Sequence, residues 1–203
     1  MRCLPAAGQA VDLLIVGRGL QIALTVCILT TACSPAKLVG DPLPGVVAPD
    51  FTLVDGPTGE TVTLSTLRGR VVVLTFLYTT CPDTCPLTAE IMRTARDKAG
   101  DAGRNAALIA VSVDPRGDTP STTRQFVNDH QLTGSLRYLI GPQAALARVW
   151  QDYGIAQAVS TPGVLHSDVI YLIDKRARGR VLLHSNVSPD DLASDLNILG
   201  SER

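Results

Sequence analysis

A chain of 203 residues, 45% of them hydrophobic, carries enough apolar surface for one globular domain of ordinary size plus a tail. Its formal net charge of -1 and 4% aromatic content supply neither a basic patch nor a stacking platform. Composition therefore gives no support for an acidic membrane surface as partner, and nucleic acid is set aside.

Residues 1–33 read as a leader, not as part of the domain. Arg2 and Arg18 are the only basic residues before Lys37, and Leu20–Ala32 is an uncharged run of 13. A spanning helix needs about 20 apolar residues, and extending the run backwards meets Arg18 and then Asp12. The length fits a signal-peptide h-region. Leu29-Thr-Thr-Ala-Cys33 resembles a bacterial lipobox, with Thr30 where leucine is usual, and makes Cys33 the expected lipidation site. The alternatives are an uncleaved membrane anchor and an ordinary signal peptide with an incidental cysteine. All three place the domain outside the cytoplasm. Cys3 and Cys27 would leave with the leader, so Cys81 and Cys85 are the domain's only thiols. Without the leader, 16 basic and 18 acidic residues give a net charge of -2.

Residues 34–48, rich in proline and glycine, are expected to form a linker, and residues 49–203 one domain. Phe51–Val54 and Thr61–Leu64 alternate around Asp55–Gly59, which predicts a hairpin. Val71–Tyr78 is a β-branched run without polar alternation, the pattern of a strand buried on both faces. A helix is predicted from Pro86 to Lys98, a second buried strand over Ala107–Val113, and a helix from Pro120 to about His130 capped by Thr119. Leu136–Ile140 reads as a short strand and Gln143–Tyr153 as a helix. Asp168–Asp174 and Arg180–His184 flank the Lys175–Gly179 turn as a last hairpin, and Ser188-Pro-Asp-Asp191 opens the final helix. The order is α/β with a mixed central sheet flanked by helices. It resembles a thioredoxin-like fold with an added N-terminal β-hairpin and an inserted strand and helix.

Cys81 and Cys85 fall where a buried strand meets a helix, the place where open α/β sheets bind ligands. Unpaired N–H groups and the helix dipole favour a thiolate there. A lone cysteine pair in an oxidising compartment can be a structural disulfide. Three intervening residues, however, put Cβ atoms about 5–6 Å apart on a helical turn, wider than the roughly 3.5–4.5 Å of a disulfide. One metal ion with metal–sulfur bonds of about 2.3 Å suits the pair at least as well.

The surrounding sequence is more specific than the pair. Val71–Tyr78 leading into Thr-Thr-Cys81-Pro-Asp-Thr-Cys85-Pro86 resembles the signature of the SCO/SenC family of copper-delivery proteins, in which a strand runs into Cys-Pro-x-x-Cys-Pro. Val113-Asp-Pro-Arg-Gly-Asp-Thr-Pro120 is similar to the family's second block, and Leu165-His-Ser-Asp-Val-Ile-Tyr-Leu-Ile-Asp174 to its third. The resemblance spans roughly residues 45–200. It departs from the family at Thr80, where many members carry histidine, and at Leu165, where an acidic residue often precedes the ligand histidine.

Of the three histidines, His130 ends a polar helix and is expected in solvent, and His184 ends the last strand. His166 begins the final hairpin, whose entry loop in a thioredoxin-like fold faces the cysteine turn. With the family block, this makes it the expected third ligand beside Cys81 and Cys85. Two thiolates and an imidazole form a soft site that selects Cu(I) and permits Cu(II), whereas structural zinc wants a fourth protein ligand. Asp83 is read as turning or capping the loop, and Asp114 and Asp118 as turn and cap residues around the next helix.

The resemblance implies a metallochaperone, not an enzyme, carrying copper to the dinuclear copper centre of a terminal cytochrome oxidase, with other copper chaperones or thiol reductants as further partners. The alternative is a thiol–disulfide oxidoreductase that reduces the oxidase subunit's cysteines, with Cys81 and Cys85 cycling through a disulfide. A general oxidoreductase would use Cys-x-x-Cys, usually after a tryptophan, and Thr80 stands there instead. A peroxiredoxin aligned on Cys81 would want proline and threonine where the chain has Leu74 and Tyr78.

Overall fold

A computed structural model of the chain describes residues 37–159, 164–166, 168–184 and 186–202. The leader and Cys33 lie outside the described residues. The first half runs β1 (Asp41–Pro42), β2 (Thr52–Asp55), β3 (Thr61–Thr63), a 3-10 turn (Leu64–Leu67), β4 (Val72–Leu77), α1 (Thr84–Lys98), α2 (Asp101–Asn105) and β5 (Ala107–Ser112). There follow α3 (Pro120–Asp129), β6 (Leu136–Ile140), α4 (Gln143–Asp152), β7 (Gln157–Val159), β8 (Val164–His166), β9 (Val169–Ile173), β10 (Gly179–His184) and α5 (Pro189–Ser201).

The main sheet is eight-stranded, in the order β1-β10-β9-β4-β5-β6-β2-β3. Strands β4, β5 and β6 are parallel, from Val72 opposite Ala107 to Leu77 opposite Ser112 and from Leu108 opposite Leu136 to Val111 opposite Leu139. Strand β9 is antiparallel to β4. This mixed sheet flanked by helices is the predicted α/β class. Every residue of β4 and β5 is buried, which is why their sequences carry no polar alternation. Helices α1, α2 and α5 pack on one another. Phe126 of α3 meets Tyr138 of β6 edge-on at 5.4 Å between ring centroids. The Trp150 indole of α4 donates to the Ser112 carbonyl at 3.0 Å.

The caps follow the sequence. Thr119 accepts from the Thr122 N–H at 3.2 Å with Pro120 as the first helical residue. Ser188 accepts from the Asp191 N–H at 3.1 Å ahead of Pro189.

Residues 38–48 correct the predicted linker. Asp41 and Pro42 pair with Leu182 and Val181, the Leu43 N–H donates to the Arg180 carbonyl at 3.0 Å, and the Ala48 N–H to the Ala177 carbonyl at 2.8 Å. The Val39 N–H donates to the buried Asp195 carboxylate at 3.0 Å. The compact domain therefore begins at Leu38, not at residue 49. Edge strand β10 presents unpaired backbone groups, and a short extended segment with a proline on its outer edge satisfies them.

Helix α1 starts at Thr84, two residues before its predicted start. Strand β9 begins at Val169, so His166 closes a separate strand, β8, paired antiparallel to β7 with Gln157 opposite His166.

Candidate metal centre

The site is built on the backbone that leaves β4. Past Leu77, the last residue of the ladder with β5, the buried Tyr78 and then Thr79 and Thr80 carry the chain out of the sheet. The Cys81 N–H returns to the Tyr78 carbonyl at 3.3 Å. Cys81 is nearly buried, and Cys85 is fully buried in the first turn of α1. Neither is joined in a disulfide.

Cys81 does the work expected of a helix cap. The Cys85 N–H donates to Cys81 Sγ at 3.4 Å, and the Thr84 hydroxyl lies 3.7 Å from the same sulfur. Asp83 occupies the N-cap position, but its side chain makes no capping bond. Pro86, third in the helix, has no N–H to satisfy, so the sulfur and not the carboxylate meets the open helix end.

The two thiols have opposite electrostatics. Burial pushes the Cys81 thiol up, but the backbone N–H groups of Asp83 and Cys85, together with contacts from the Cys85 thiol and Thr84 hydroxyl, outweigh it and hold Cys81 below its ordinary value. Burial pushes Cys85 far up, against the opposing Tyr78 N–H, and the charges of Cys81 and Asp168 push the same way. The folded loop therefore favours the thiolate at Cys81 and the protonated thiol at Cys85. That arrangement suits a cation that replaces the second proton, or a disulfide exchange in which one sulfur attacks and the other resolves.

Asp168, at the entry to β9, acts on Cys85 through its charge. The His166 side chain lies outside the described residues. His184 is exposed, 3.6 Å from Asp41. His130 is half-buried against Phe126, with ring centroids 4.4 Å apart, not fully in solvent as its polar helix predicted. Among the described residues no three His, Cys, Asp or Glu side chains form a group that could hold an ion, so neither histidine completes a site with the cysteines.

Sequence reasoning missed Asp118. Asp114 does turn the loop, accepting from the Arg116 N–H at 3.2 Å. Asp118 instead points inward, 5% exposed, and accepts both the N–H and the hydroxyl of Thr79 at 2.8 Å. Thr119 alone suffices as the cap of α3, and that redundancy in Asp-Thr-Pro was the available signal.

The family model described as SCO1/SenC matches residues 41–199. The chain is similar to the SCO1 protein homologue of Bacillus subtilis, 27% identical over 188 residues covering 88% of this chain and 94% of that protein. It is also similar to the copper-bound structure of Bradyrhizobium japonicum ScoI, at 28% identity and a TM-score of 0.68 over 76% of this chain and 99% of that one. The copper-bound structure of Arabidopsis thaliana ScoI matches at 27% identity and a TM-score of 0.66 over 73% and 94%.

Proposed function

Because the chain belongs to the SCO1/SenC family, we propose that it is an extracytoplasmic copper chaperone holding copper as cargo through Cys81, Cys85 and His166. It delivers that copper to the dinuclear centre of a terminal cytochrome oxidase during assembly. One observation carries the reading: two cysteine thiols in mutual contact at a strand–helix corner, one favoured as thiolate by backbone N–H groups. Soft thiolates select Cu(I), and an imidazole from His166 extends the set to Cu(II). The copper-bound relatives, similar along most of their length, support copper as the metal.

The leader supports an exported chain lipidated on Cys33, with the domain held near the membrane. No helix among the described residues is long and apolar enough to cross a membrane.

The asymmetric thiols favour a second reading, reduction of the oxidase subunit's cysteines. Cys81 thiolate would attack the target disulfide and form a mixed disulfide. Cys85 would lose its proton, attack Cys81 Sγ and release the target as a dithiol, leaving Cys81 and Cys85 oxidised by two electrons.

Titration of the reduced domain with Cu(I) and Cu(II) against a competing chelator tests the first reading. One equivalent of Cu(I) is expected to bind, to be lost in Cys81→Ser or Cys85→Ser, and to bind more weakly in His166→Ala, with the larger loss for Cu(II). A reduced domain that holds no Cu(I) would sink the chaperone reading. Insensitivity of both oxidation states to His166→Ala would sink only that ligand.

A further inference from the structure

We propose that Asp118 is a positioning residue for the copper site, clamping Thr79 so that the Tyr78–Thr80 backbone presents Cys81 and Cys85 in one fixed geometry. The inference rests on the copper reading for its metal readout. The buried carboxylate receives four donors. Its Oδ1 accepts the Thr79 N–H and hydroxyl, both at 2.8 Å. Its Oδ2 accepts the Ser112 hydroxyl at 2.6 Å and the Tyr138 hydroxyl at 3.2 Å. One side chain thus ties the exit of β4 to the end of β5 and to β6. The clamped backbone is what touches the thiols: the Tyr78 carbonyl accepts the Cys81 N–H, and the Tyr78 N–H reaches Cys85. Thr79 lies past the last paired residue of β4, so the ladder does not fix it and the carboxylate does. Groups that orient metal ligands change metal affinity by about 10–100-fold when removed.

Asp118→Ala is expected to weaken Cu(I) binding by about 10–100-fold, to shift the thiolate-to-Cu(II) charge-transfer band, and to speed hydrogen exchange at the Thr79 amide by about tenfold or more in the metal-free chain. Asp118→Asn keeps an oxygen for Thr79 and offers an amide to the two hydroxyls, so it is expected to restore all three readouts. Asp174→Ala is the control. That buried carboxylate binds the N–H groups of Arg176 and Arg178 at the opposite end of β4, where Ile173 faces Val72. It should lower the melting temperature and leave the copper band and Thr79 unchanged.

A copper band and affinity in Asp118→Ala equal to wild type would overturn the proposal, as would Asp118→Asn behaving like Asp118→Ala. Should the wild type hold no copper, the copper reading fails by itself, and Thr79 exchange alone decides whether the clamp exists. Should Asp118→Ala fail to fold, Thr79→Val removes one of the two bonds without a change of shape. It carries the same expectation at smaller size, and wild-type exchange and spectrum in that variant would equally overturn the clamp.

Discussion

Cys81 and Cys85 sit four places apart, yet burial and hydrogen bonding drive their ionisation in opposite directions. The consequence is measurable without metal. A thiol held below its ordinary value reaches half its maximal alkylation rate at lower pH, because the thiolate is the nucleophile. Iodoacetamide near neutral pH is expected to label Cys81 about tenfold or more faster than Cys85, each unit of separation being tenfold in thiolate fraction. Peptide mass mapping of short reaction times reads the ratio, and equal labelling would contradict the assigned asymmetry. Thr80 and Leu165, the two departures from the family pattern, leave both thiols in place, so their effect is expected at the approach to the site and not on Cu(I) stoichiometry.

At the scale of elements, two attachments matter. Helix α1 begins two residues early because the Cys81 sulfur, and not Asp83, meets its open end. Helix α5 holds the N-terminal segment through Asp195, whose carboxylate takes the Val39 N–H. Burial raises Asp195 to about 6, against the Val39 N–H and with the nearby charge of Asp191 adding to the rise. A folded value above the unfolded one means that the folded chain keeps a proton which the unfolded chain has released. Stability therefore falls as pH rises from about 4 to about 6. Asp195→Asn should flatten that slope and raise stability at pH 7 on the order of 1–3 kcal/mol. Urea unfolding across the window measures it, and a slope identical to wild type would remove Asp195 as the cause.

For the whole molecule, the domain start at Leu38 predicts the outcome of truncation. A chain beginning at Leu38 should keep the full stability of the domain. One beginning at Pro49 loses β1 and its bonds to β10. With the bonds of Val39, Leu43, Val46 and Ala48 all gone, at about 1 kcal/mol per bond that is on the order of 4 kcal/mol, or about 8–16 °C in melting temperature. Equal melting of the two truncations would restore the linker reading of residues 38–48. The sequence by itself determined the α/β order, the two buried strands, the capped helices α3 and α5, and the cysteine pair at a strand–helix corner. Each of these is written in local signals: β-branched runs, Ser or Thr before proline, a Cys-Pro motif after a strand. Only the tertiary structure decided that residues 38–48 pair with an edge strand far along the chain, that His166 closes β8, and that Asp118 reaches back 39 residues to Thr79. Those facts depend on which strands become neighbours, and no local pattern encodes that. The asymmetry of the two thiols has the same origin, since burial and N–H direction exist only once the loop is folded onto the sheet.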